Sequence, residues 1–446
     1  MSMSVIQYHS TPHPGLPEMM PQPHYETLFV ARQPVLDESL NTWGYFHYYR
    51  RCLDHTYSEF TDPVQATLSV IQCLPACMDT CGLKHKALIH LPAPVVTTAV
   101  PKALGPDCLL PVLAHDDLAS PPYLEALRSL REEGYMLALD LTGPLPEDSP
   151  LLELVNIVIL DLRAPMGGIK GLTDTAQALL ARGLILLAKR VESHDSENLA
   201  RSLGFTLFSG HFFREPKTLT QRKISATETT RLNLLNLLSH PEPPTDRLVA
   251  AIEADASVSY RVLSMLNSAH FGLLKKVSSV RQAVLLAGWA HLCAWLRVMV
   301  MADMTPSTKA RELLHLSAQR AKFFELLAMA SAHRENAESL FLFGLLSLLP
   351  AMLDMPMGNV LDKLALDDDI RAGLCGQPGP YAPWLGIAQA IEDTRWDDMA
   401  QYALALGLPT GSVADAYNTS FQWADTLLSA LPPHANGKGG KDRHLA

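Results

Sequence analysis

The stretch YMLALDLTGPLPEDSPLLELVNIVILDLRAPMGGIKGLTDTAQALLARGLILLAKRV (Tyr135–Val191) decides the fold. It holds three short apolar runs, YMLALDL, NIVILDL and LILLAKRV, separated by longer segments. Each run lacks strict polar alternation and is too short for a buried helix, which predicts strands covered on both faces. Runs of the same kind recur on either side: LFVARQPVL (Leu28–Leu36), ALIHLPA (Ala87–Ala93) and LLPVLA (Leu109–Ala114) before it, FTLFSGHFF (Phe205–Phe213) after it. Between them lie amphipathic stretches such as YLEALRSLREEG, where Leu124, Leu127 and Leu130 fall at helical spacing and Gly134 stops the helix. Repeated strand, helix, strand order predicts a parallel sheet closed as an α/β barrel of the TIM-like kind over residues 25–218. Chemistry in such a barrel sits at the carboxyl ends of the strands.

Beyond Pro216 the strand signals vanish, and apolar residues recur every three or four positions, which predicts an all-α helical domain over residues 219–431. Val280, Val284, Gly288, Leu292, Trp295 and Met299 share one helical face, and Ser279 with Gln282 has the spacing of a capping box. Leu313, Leu314, Phe323, Phe324 and Leu327 extend the pattern, and PEPP at Pro241–Pro244 marks a loop between the first two helices. Residues 1–24 carry Pro12, Pro14, Pro17, Pro21 and Pro23 among polar neighbours and read as a flexible leader; residues 432–446, ending in ANGKGGKDRHLA, read as a solvated tail.

The 446 residues include 36 Lys plus Arg and 46 Asp plus Glu, so 36 minus 46 leaves a net charge of -10. With 48% hydrophobic and 18% charged residues, the chain has material for packed cores and is not a disordered polyelectrolyte. The acidic balance gives no long-range attraction to phosphate backbones, so no nucleic-acid partner is expected. The apolar stretch Ser339–Leu353 is broken by Pro350 and falls short of the roughly 20 residues a bilayer needs, and the first residues have neither a basic start nor an apolar run. These features predict a soluble, cytoplasmic protein with no membrane partner. The seven cysteines read as reduced thiols. Cys73, Cys77 and Cys81 fall at i, i+4 and i+8 with His85 continuing the series, but Pro75 and Gly82 interrupt the helix, and buried small hydrophobes explain them better than a metal site.

The phrases ARQPVLDESLNTWGYFHYYR (Ala31–Arg50), LALDL, NIVILDL, LLAKRVES and LGFTLFSGHFF, in this order and spacing, resemble the EAL domain, a barrel-shaped cyclic di-GMP phosphodiesterase of bacterial signalling. IEADASVSYRVLSMLNSAHFG, VSSVRQAVLLAGWAHL and LFLFGLLSLL resemble the HDOD domain, an all-helical relative of metal-dependent phosphohydrolases. Together they make the chain resemble an EAL and HDOD two-domain protein over nearly its whole length past the leader.

The resemblance implies where catalytic ligands should stand, and most are changed. Hydrolysis of a phosphodiester needs water activated by a hard divalent cation, which needs converging carboxylates. The signature glutamate position holds Phe46, and the next strand's asparagine is His90. CLLPVLAHDDLA lacks the further glutamate, the paired aspartates reduce to Asp140 and Leu141, and the following lysine is Ile159. Lys189 stands where the family has glutamate, reversing the charge. Arg50, Asp140 and Glu192 match family positions. Asp140 and Glu192 are expected mainly to pair with neighbours at strand ends, whereas Arg50 could hold a phosphate without metal. His47, His90, His115 and His211 fall near predicted strand ends, where a rebuilt imidazole metal site is conceivable, but scattered, satisfied histidines are the preferred reading.

In the helical half the adjacent His and Asp of the phosphohydrolase ancestry are replaced by Ser347 and Leu348 in GLLSLLP. Asp255, Asn267, Ser268 and Gly272 read as capping and turn residues. Trp289, Trp295, Trp384 and Trp396 are interface candidates by type, though core positions are the commoner role. No catalytic residue, metal or cofactor is therefore expected. The expectation is a non-catalytic signalling adaptor that contacts other signalling proteins, with a homodimer compatible with that role. The alternative is a receptor for cyclic di-GMP or a related anion through Arg50, Asp140, Lys189 and Glu192.

Overall fold

The computed structural model describes residues 28–51, 67, 71, 85–114, 120–143, 149–163, 167–216, 226–239, 245–266, 279, 281–282, 289–304, 310–362, 364 and 366–429. The leader, the tail, Cys73, Cys77, Cys81, His115, Asn267, Ser268 and Gly272 lie outside them.

Eight strands close into a barrel in chain order: β1 (Leu28–Leu36), β2 (Thr42–Arg51), β3 (Lys86–His90), β4 (Leu109–Ala114), β5 (Ala138–Leu141), β6 (Ile157–Asp161), β7 (Ile185–Lys189) and β8 (Leu207–Ser209). Every pair from β2 to β8 is parallel, but β1 runs antiparallel to both β2 and β8, which corrects the wholly parallel expectation. The cause is local. Asp37 Oδ1 accepts the backbone N–H groups of Ser39 and Asn41, each at 2.8 Å, and ties DESLN into a turn too short for a parallel crossover. The strand that follows this turn, TWGYFHYYRR, was not among the apolar runs, because its tyrosines and histidine interrupt the apolar count.

Inside the barrel Val35, Phe46, Leu88, Leu110, Val112, Ala138, Ile157, Ile159, Leu187 and Leu207 form one buried cluster. Burying side chains of this size is worth about 2 kcal/mol each against water. Outside, α1 (Pro121–Glu132), α2 (Gly168–Ala181) and α3 (His194–Ser202) cover the strands. Leu127 and Leu130 are buried as their spacing predicts, and Gly134 takes the positive φ of 92° that ends α1.

The second half is built of helices in its described residues: α4 (Ala226–Leu238), α5 (Thr245–Glu253), α6 (Ala256–Leu266), α7 (Trp289–Met304), α8 (Ala310–Met329), α9 (Ala337–Leu346), α10 (Ala382–Glu392), α11 (Trp396–Ala405) and α12 (Thr410–Ser429), with the shorter helices Leu349–Leu353, Met357–Leu361 and Asp368–Leu374 between α9 and α10. Helix α8 is the central one, packed against α9 and α12. Gly344 allows α9 to come that close, since a Cβ there would lie 2.8 Å from the Ala321 backbone. Leu313, Leu314, Phe323, Phe324 and Leu327 are all buried. Asp255 caps α6 by accepting the Val258 N–H at 3.1 Å, and Ser279 Oγ accepts the Gln282 N–H at 3.2 Å. Trp295 and Trp384 are core residues at 3% exposure, and Trp396 packs partly buried against the core.

One run among the described residues, Arg334–Leu353, is long and apolar enough to cross a membrane, longer than the Ser339–Leu353 stretch read from the sequence. Its apolar window is 72% buried inside the helical half, and it is divided into α9 and a short helix, Leu349–Leu353.

The two halves touch along β1, against which α10 and α12 pack. The Arg32 guanidinium is sandwiched between the rings of Tyr45 and Phe421, 3.8 and 4.1 Å from their centroids, and Tyr45 Oη donates to Glu312 at 2.9 Å.

Candidate functional site at the barrel mouth

Strand alternation places every second side chain inward, so the residue two positions beyond each core residue forms the rim at the carboxyl ends. Beyond Phe46, Leu88, Ala138, Ile159 and Leu187 stand Tyr48, His90, Asp140, Asp161 and Lys189. Phe46 fills the barrel interior at 1% exposure, and Ile159 is fully buried beside it.

Lys189 Nζ donates to both oxygens of Asp140, at 2.6 and 2.8 Å. The two strands are separated by β6, where Ile159 lies in register with Asp140 and with Leu187, so the lysine reaches across that strand. Their side chains are 19% and 12% exposed, so the pair is largely withdrawn from solvent. His90 Nε2 lies 3.9 Å from Asp140. Burial holds the His90 pKa below its ordinary value; the Asp140 charge opposes that shift and the Lys189 charge adds to it.

Next to the pair is an aromatic stack that composition alone did not reveal. Phe46 and Tyr48 stack at 5.8 Å, Phe46 and His90 at 6.2 Å, and Tyr48 lies 6.5 Å from His90. Burial, with the Asp140 charge, raises the Tyr48 pKa, so its hydroxyl stays protonated. The alternation of Phe46 and Tyr48 on β2 was the available signal. Further out, Arg163 donates to Glu192 at 3.2 Å and Arg190 lies 3.4 Å from Asp161, all on solvent-facing loops or strand ends. Glu192 is therefore paired at the rim and apart from the Asp140 pair. Arg50 belongs to β2, paired in register with Phe29.

The donor set does not fit a hard divalent cation. Asp140 is already bound at both oxygens by an ammonium, and no group of three His, Cys, Asp or Glu residues able to hold a metal occurs among the described residues. The histidines are dispersed. His90 is at the mouth, whereas His211 follows β8 and meets Asp393 of the helical half at 2.6 Å. His47 lies within β2 in register with Arg32, away from the strand end predicted for it. It is buried, its Nδ1 makes no hydrogen bond among the described residues, and burial with the Arg32 charge lowers its pKa to about 3. In the helical half, Ser347 Oγ accepts from Arg320 at 3.0 Å.

Comparison with known proteins places these features in context. The HDOD domain model matches residues 225–353. A Vibrio cholerae protein named cyclic di-GMP phosphodiesterase CdgJ is 28% identical over 419 residues, covering 92% of this chain and 96% of that protein. The Bacillus subtilis protein YuxH is 28% identical over 412 residues, covering 90% and 99%. Among solved structures, the EAL enzyme Bd1971 in its cAMP-bound form is 12% identical with a TM-score of 0.37, over 42% of this chain and 62% of that one, just under two thirds. The Bacillus subtilis YkuI protein, with an EAL domain and in complex with cyclic di-GMP and calcium, is 14% identical with a TM-score of 0.36, over 56% and 70%. The chain thus joins an eight-stranded barrel to a helical half of which residues 225–353 match the HDOD domain model.

Proposed function

We propose that this chain is a non-catalytic component of cyclic di-GMP signalling, a cytoplasmic adaptor whose barrel has lost the cation on which hydrolysis depends and which acts through contacts with other signalling proteins. The observation that carries this reading is the Lys189 ammonium on both oxygens of Asp140. An ammonium neutralises the carboxylate as a metal would, but it has no open coordination position for water and does not generate hydroxide. Phe46 and Ile159, apolar where the EAL resemblance implies a glutamate and a lysine, leave the layer below without polar ligands. The reading departs from the name of the Vibrio cholerae relative, and turnover decides between them. Purified full-length protein with cyclic di-GMP and either Mg²⁺ or Mn²⁺ is expected to release no linear product; measurable hydrolysis that the Asp140→Ala variant lacks sinks the adaptor reading.

The stack of Phe46, Tyr48 and His90 supports a second reading, that of a receptor. With Phe46 buried beneath them, the partly exposed rings of Tyr48 and His90 offer faces to a purine base, and Lys189, Arg50 and the exposed Arg163 and Arg190 supply cations for phosphate. In titration calorimetry without divalent metal, a receptor gives saturable heat with cyclic di-GMP that Arg50→Ala abolishes.

A further inference from the structure

A dense charge cluster lies between the two halves. Arg214, just past β8, ion-pairs with Glu392 and donates to Asp393 at 2.7 Å, both at the end of α10. Arg320 of α8 grips the same Glu392 from the other side, at 2.7 and 2.6 Å, and also reaches Ser347. The Arg320 and Glu392 side chains are 3% and 8% exposed. Arg395 reaches Asp393 as well, at 3.3 Å, so Arg214 is the guanidinium of this cluster that comes from the barrel, and it meets these carboxylates only while barrel and helical half are docked.

The cluster is also wired to the mouth. Two residues past Lys189, the Val191 N–H donates to Ser209 O at 3.1 Å, and Val191 O accepts the Phe212 N–H at 3.1 Å. Gly210 sits between these bonds with no space to spare, since a Cβ there would lie 2.1 Å from Val191 O. His211 comes next: Nδ1 meets Asp393 at 2.6 Å and Nε2 meets Gln33 Nε2 of β1 at 2.9 Å. The Arg214 N–H donates to His211 O at 2.9 Å. A displacement of the Lys189–Glu192 segment therefore cannot leave His211 and Arg214 in place.

Beside the Arg32 sandwich, the contact is not completely filled. A cavity of about 30 Å³ lies between the halves, walled by Arg32, Gln33, His315, Gln319 and Phe421, with room for a water or two. At its wall the buried Gln319 Nε2 makes no hydrogen bond among the described residues. A polar, imperfectly filled contact between domains is one that opens without unfolding either side.

We propose that Arg214, Arg320, Glu392 and Asp393 form an interdomain latch that holds the helical half against the barrel and transmits rearrangement of the mouth segment Lys189–Glu192 to α10. The latch needs no ligand at the mouth and stands whichever reading of the mouth is right.

Hydrogen exchange on the full chain tests it, with Lys189→Met as the disturbance at the mouth and Arg214→Gln or, should that variant not fold, the isosteric Glu392→Gln as the broken latch. Breaking the latch is expected to speed exchange in Ala382–Glu392 by about tenfold while the strands β5 to β7 keep their protection. Lys189→Met is expected to speed exchange in the same helix in the otherwise native protein and to add nothing once the latch is broken. Unchanged exchange in Ala382–Glu392 on breaking the latch overturns the holding role. Unchanged exchange there in Lys189→Met, or equal increments with and without the latch, overturns the transmitting role.

Discussion

The barrel mouth and the centre of the helical half have come to the same arrangement by different routes. At the mouth Lys189 lies on Asp140; in the helical half Arg320 lies between Glu392 and Ser347, the position where the HDOD resemblance implies a lost metal-binding histidine. In both, a side-chain cation is bound to a largely buried carboxylate. The surroundings differ. The Lys189 pair is internal to the barrel and partly open to solvent, whereas Glu392 is shared with Arg214 from across the domain boundary and is nearly sealed off. The same kind of charge pair leaves one site addressable and makes the other part of the joint between domains.

This contrast is broken first at its buried end. Arg320→Met leaves the Glu392 carboxylate with a single guanidinium partner in a dry setting, and is expected to cost about 3–5 kcal/mol, read as a lower urea midpoint. A loss below about 1 kcal/mol, the range of surface pairs, shows that solvent reaches the cluster and that the two sites are alike after all.

The corresponding change at the mouth, Lys189→Met, strands Asp140 where water still has some access, and about 2 kcal/mol is the expected loss. It also carries a spectroscopic signature. The Lys189 charge depresses the His90 pKa and the Asp140 charge raises it, so without the lysine the His90 ring titrates at higher pH by NMR. An unmoved His90 midpoint breaks the electrostatic picture of the mouth.

Near neutral pH the smallest expected effect belongs to the wall of the barrel, and there the response grows only as the pH falls. His47 is held neutral, its pKa about 3 in the fold against an ordinary 6.5. Between those values the unfolded chain binds the proton that the native barrel refuses. Its contribution to stability is intact above pH 6.5 and declines as the pH falls towards 3, by up to about 1.4 kcal/mol per pH unit. His47→Phe removes that slope, and an unchanged acid profile in this variant shows that the acid response lies elsewhere.

Much of this architecture was legible beforehand because it follows from periodicity. The runs at Leu28–Leu36, Leu109–Ala114 and Ile157–Asp161 are strands to within a residue or two, and Leu127, Leu130, Phe323 and Phe324 are buried as their spacing requires. The reversed β1 was not legible, because direction depends on the Asp37 turn, a short-range hydrogen-bond detail that apolar counting ignores. At the site, the Lys189 substitution drew attention to a charge reversal, but its pairing with Asp140 depends on two strands 49 residues apart. The latch was invisible for the same reason: it is made by long-range proximity, and Arg214 and Glu392 are 178 residues apart.

Position 210 shows how closely the halves are bound together. Because the Val191 carbonyl occupies the place of a side chain there, every other amino acid would have to wedge the ends of β7 and β8 apart. One added methyl group would thus be felt at once at the barrel rim and in the seat of α10, so a defect seen at either place does not reveal by itself which half was struck.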